Sequence, residues 1–185
     1  MFSLRRYLIE NKYVYLFLLF CAIVGFFCGI FLASGIYEYQ VPAEFQLTFW
    51  GCAAKFLIPL LITALCGLFF AGMIGIIGSV GWAAGNVGFL IAEQFCISVK
   101  NGLAFLFSYG IPVGLLFILG ILGCAATAVE CNLFRFTLRR KGLARPMSAK
   151  EKQDYLGKML IFAGVFVILI IAERMLFYKF YQVLI

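Results

Sequence analysis

The chain has 185 residues, 65% of them hydrophobic and 12% charged, with a mean hydropathy of +1.07. That balance excludes an ordinary soluble domain and identifies an integral membrane protein. The net charge of +7 does not point to nucleic acid, because the basic residues flank apolar stretches and form no nucleic-acid-binding module.

Histidine is absent and Asp154 is the only aspartate. His-ligated metals, histidine general bases, Ser-His-Asp triads and paired-aspartate intramembrane proteolysis are therefore excluded, and no cofactor motif stands out. The seven cysteines (Cys21, Cys28, Cys52, Cys66, Cys96, Cys124 and Cys131) form no C-x-x-C pair and read as small packing residues.

Arg5, Arg6 and Lys12 precede a charge-free run from Tyr13 to Tyr37 that is long enough to cross about 30 Å of hydrocarbon as a helix, giving a first span at 13–35. A short polar stretch follows, with Glu38, Glu44 and the aromatic pair Phe49 and Trp50 suited to a membrane interface. From Phe56 to Ala92 no charge occurs, which is too long for one perpendicular helix and divides into spans at 56–77 and 82–99. Gly72, Gly75, Gly78, Gly81, Gly85 and Gly88 recur at helical spacing through this join. They fit a small-residue packing face, or a broken segment lining a polar cavity.

The third span contains Glu93 and ends near Lys100, and a fourth runs over 102–129 with Pro112 as a kink. A basic loop at 130–158 comes next. In it Arg135, Arg139, Arg140, Lys141 and Arg145 alternate with Phe134, Phe136 and Leu138, as a helix lying on anionic lipid would, or as a simple topology anchor. Ser148 and Glu151 have capping-box spacing, so a helix should start at Ser148 and lead into a last span at 159–180.

Placing the N-terminus and the 130–158 loop in the cytoplasm puts eleven of the fifteen Lys and Arg residues inside, leaving Lys55, Lys100, Arg174 and Lys179. An even number of crossings must precede residue 130. The expected fold is an all-α polytopic membrane protein of about five transmembrane helices, N-terminus cytoplasmic and C-terminus extracytoplasmic, forming one domain over 1–185.

The last span breaks its own apolar run. Only 14 uncharged residues separate Lys158 from Glu173, about 21 Å of helix, so Glu173 and Arg174 fall within the outer leaflet. Arg174 can snorkel outward, whereas Glu173 needs a partner inside the bundle, and Lys55 or Lys100 lies at the right depth. One reading is a paired polar cluster that fixes helix register, with Glu93 competing for the same cations. The other is an ion or proton path through Glu93 and Glu173.

The opening "IENKYVYLFLLFCAIVGFFCGIFL", the glycine-rich "GMIGIIGSVGWAAGNVGFL" and the terminal "IAERMLF" together resemble the stage II sporulation protein M family. The resemblance covers nearly the whole chain in the order and number of spans. It implies a non-enzymatic scaffold in a bacterial cell membrane, at the septal and engulfing membrane of endospore formers. There it would hold two extracytoplasmic peptidoglycan-remodelling proteins, stage II sporulation proteins D and P, during engulfment. The docking face would then include Glu38, Glu44, Phe49, Trp50 and Lys100, together with the segment from Glu173 to Ile185. Membrane lipids are the other expected partner, and homo-oligomerisation is compatible with the sequence. The alternative is a small transporter or permease subunit using Glu93 and Glu173.

Overall fold

The computed structural model describes residues 12–35, 49–69, 72–140 and 148–184. In chain order they form α1 (Lys12–Gly35), α2 (Phe49–Leu68), α3 (Met73–Ile97), α4 (Val99–Phe105), a π-helical segment (Leu106–Leu115), α5 (Leu116–Arg140) and α6 (Ala149–Leu184). No strand occurs among the described residues. Four helical stretches, Lys12–Gly35, Met73–Ile97, Val99–Leu133 and Ala149–Leu176, are long and apolar enough to cross a membrane, and Ala54–Leu68 in α2 adds a shorter apolar helix. The protein is an all-α membrane protein.

Because lipid tails are as apolar as leucine, helices in a bilayer are held by close packing rather than by exclusion of water. The glycines act accordingly. A Cβ on Gly25 would run into the backbone of Gly81, and one on Gly29 into that of Gly85. Both partners advance together along the chain, so α1 and α3 run parallel with their backbones in near contact. Gly88 continues the seam against the Phe26 carbonyl. Outside this seam α1 presents Leu16, Phe20, Phe27 and Phe31 on its exposed surface.

α2 ends at Leu68 and α3 begins at Met73, so the join does not lie at 78–81, where the sequence reading divided the long apolar run. Gly72 decides the position: its Cα faces the Cys66 backbone so closely that any side chain would collide. Gly81, Gly85 and Gly88, freed from turning the chain, serve the α1 seam, while Gly78 faces open space. Across the turn, Thr63 Oγ1 and Ser79 Oγ hydrogen-bond at 2.5 Å between two buried side chains, so α2 and α3 run antiparallel.

The next reversal uses a single non-helical residue. Ser98 is extended (φ −163°, ψ 152°), and its Oγ accepts from the Asn101 amide at 3.1 Å to cap α4. The fourth span thus begins at Val99 rather than 102. A Cβ on Gly114 would touch Val87, and one on Gly110 would touch Ile91, so the two arms form a tight antiparallel hairpin. Pro112 lies within the π-helical segment. The wider turn carries the carbonyls past the ring that an α-helix would drive into residue 108.

Residues 130–140 are helical, which corrects their reading as loop, while the helix expected from Ser148 is present. α5 continues to Arg140 and α6 begins at Ala149. The capping box forms as its spacing requires: the Ser148 amide donates to Glu151 Oε2 at 2.8 Å, and the Glu151 amide donates to Ser148 Oγ at 3.2 Å. α6 has 36 residues, about 54 Å of helix, and extends well past a hydrocarbon core.

α5 and α6 pack antiparallel, with Gly120 against Phe166 and Gly123 against Phe162. Edge-to-face rings tie three helices together: Phe56 meets Phe117 at 4.5 Å and Phe117 meets Phe166 at 5.6 Å between centroids. The five long elements therefore alternate in direction. The residues near the α1 C-terminus, the α2 N-terminus, the Ser98 turn and the α6 C-terminus gather at one end, opposite the capping box.

Candidate functional site: a buried charged cluster at one end of the bundle

Three elements deliver one side chain each to the same point. α2 carries Lys55 seven residues into the helix, the π-helical segment carries Tyr109, and α6 carries Glu173 after six turns. Glu173 is fully buried. Its Oε1 lies 3.8 Å from Lys55 Nζ and accepts a hydrogen bond from the Tyr109 hydroxyl at 3.0 Å. Lys55 is itself 22% exposed, so its stem is packed while its ammonium stays near the rim.

Tyr109 is buried and aligned by Phe105, whose ring lies 4.7 Å away and tilted by 30°. Four residues separate the two on a helix, which stacks them on one face. An apolar ring with one polar tip suits this depth: the ring fills the core and the hydroxyl reaches the one carboxylate there.

Glu93 stands on α3 one turn before Ser98, partly buried, and Lys55 lies within electrostatic reach of it. Among the described residues Glu93 Oε2 is buried with no hydrogen-bond partner. One lysine thus serves two carboxylates, more tightly Glu173. The structure chooses Lys55 over Lys100, which is exposed on α4 and makes no ion pair among the described residues. Arg174, about 100° around the helix from Glu173, is exposed.

Glu38, Glu44, Lys141 and Arg145 lie outside the described residues, as do the side chains of Phe49, Trp50, Arg135, Arg139 and Arg140, whose backbones belong to α2 and α5.

Sequence reading missed Tyr109. It sits in "SYGIPVGLL", where the available signal was one phenolic hydroxyl in an otherwise apolar run. Two polar contacts at the opposite end were missed as well. The Tyr155 hydroxyl donates to the Ala64 carbonyl at 2.9 Å, and Asn132 Nδ2 donates to the Cys66 carbonyl at 3.3 Å, fastening α6 and α5 to the end of α2.

Chemically the cluster holds two carboxylates that share one ammonium, and a phenol orients the one that the ammonium approaches most closely. No group of three or more potential metal ligands occurs among the described residues. No family model, curated protein or solved structure matches the chain.

Proposed function

We propose that this chain is a non-enzymatic membrane scaffold whose rim at the Lys55–Glu173 end receives partners on the outer side of the membrane. The observation that carries the reading is the use made of the buried charge. Glu173 is matched by a lysine from α2 and a tyrosine from the π-helical segment, an arrangement that locks three elements in one register. The reversal at Ser98, on the side assigned to the exterior, takes a single non-helical residue, and chemistry on a large extracytoplasmic substrate is assigned to partners. The basic end, with Lys150, Lys152 and Lys158, fits the cytoplasmic side. Under the resemblance to stage II sporulation protein M, the partners are peptidoglycan-remodelling proteins, and the site of action is the engulfing septal membrane.

Affinity purification from native membranes in mild detergent, followed by mass spectrometry, tests this. Extracytoplasmic wall-remodelling proteins should accompany the chain in near-equal amounts. They should be lost when Glu44, Phe49 and Trp50 are replaced together while membrane insertion persists. Unchanged recruitment by that variant would remove the docking face from the proposal.

A second reading, a small ion- or proton-coupled permease subunit, is favoured by the buried Oε2 of Glu93 and by the π-helical segment beside Glu173, a feature frequent at functional sites. It predicts flux that Glu93→Gln abolishes.

A further inference from the structure

A groove of about 640 Å³ runs along the lipid-facing side of the α2–α6 junction. Leu60 and Met159 form its buried floor, and Leu57, Leu61, Leu156 and Leu160 form its exposed rim. All nine of its lining residues are apolar. We propose that this groove is a binding site for one acyl chain of an anionic phospholipid, with the headgroup held at Lys152.

Shape selects the chain. On α6 the lining runs from Leu156 to Ala163, about 10 Å of helix axis. A single aliphatic tail laid along the helix axes meets only apolar walls there.

Charge selects the headgroup. Leu156, Met159, Leu160 and Ala163 lie at i, i+3, i+4 and i+7 on one face of α6. Extending that face one turn toward the N-terminus reaches Lys152, which is exposed. Lys150 and Lys158 add positive charge on the same part of the helix, and Asp154 and Glu151 leave it net basic. An ammonium one turn beyond the end of an apolar groove places a phosphate where the tail's glycerol end emerges. Tyr155 supports the site without entering it: its hydroxyl on the Ala64 carbonyl fixes the spacing of α2 and α6 that keeps the groove open.

The test is native mass spectrometry of the full chain released from nanodiscs containing equal phosphatidylglycerol and phosphatidylcholine. The wild-type chain should retain one phosphatidylglycerol. Ala163→Phe, which fills the groove, should release it. Lys152→Gln, an exposed change that leaves the core intact, should lower the preference for phosphatidylglycerol about fivefold, the factor one basic residue contributes at an anionic surface. Retention of both lipids without preference would overturn the headgroup assignment. Retention unchanged by Ala163→Phe would overturn the groove, and so would a dimer of the chain that Ala163→Phe dissolves.

Discussion

Lys55→Met should be among the most damaging single substitutions at the rim, because it strands a carboxylate that has no access to water. Glu173 is fully buried, whereas Lys55 is 22% exposed. Removing one partner of a buried pair costs about 3–5 kcal/mol. An upper limit comes from neutralisation, since protonating an ordinary glutamate at pH 7 costs about 3.7 kcal/mol. The expected loss is therefore about 3–4 kcal/mol, or a fall in Tm of roughly 10 °C for a chain of this size. Glu173→Gln should cost less, near 1 kcal/mol, because the remaining ammonium can extend to solvent and the amide oxygen still accepts from Tyr109. The double variant Lys55→Met with Glu173→Gln removes the Glu173 charge together with its partner and should recover most of that loss, the remainder being the weaker attraction of Lys55 for Glu93. Thermal unfolding in detergent, followed by size-exclusion of the intact fold, measures all four proteins. Equal losses for the two single variants, or a double variant that loses the sum of both, would refute the buried-charge argument.

Other substitutions test the packing and the direction of insertion. Gly25→Ala should destabilise by about 1–3 kcal/mol in the same assay, since its Cβ meets the Gly81 backbone, while Gly78→Ala, facing open space, should be neutral or slightly stabilising. Tyr109→Phe removes a hydrogen bond to a charged group and should cost about 1.5–3 kcal/mol. Ser148→Ala removes the acceptor for the Glu151 amide and should cost about 0.5–2 kcal/mol, seen as faster amide exchange in the first turn of α6. In a cysteine-free background, Lys100→Cys should react with an impermeant maleimide in intact cells, and Lys152→Cys only after permeabilisation.

The sequence made the spans, the capping box and the isolation of Glu173 legible, because each depends on local composition or spacing. Fourteen uncharged residues after Lys158 locate Glu173 in depth whatever surrounds it. The join between α2 and α3 was not legible in the same way. Six glycines at similar spacing look alike in the chain, and only contact with the Cys66 backbone at Gly72, against contact with the α1 backbone at Gly81, Gly85 and Gly88, separates the glycine beside the turn from those that pack. The choice of Lys55 over Lys100 likewise depended on rotation about helix axes, which hydropathy does not encode. Tyr109 depended on it too, since the widened turn of the π-helical segment sets where its ring points. The first part of the basic segment misled for a different reason: its charges mark an interface, but helix-forming residues carry α5 on to Arg140.

In the proposed scaffold the charges at this end tie helices together and do not conduct. Proton and cation flux into proteoliposomes containing the purified chain, measured with trapped pH- and ion-sensitive dyes, tests it most directly. Flux should be no greater than in protein-free vesicles, for the wild type and for Glu93→Gln and Glu173→Gln alike. Flux in the wild type that either substitution abolishes would contradict it.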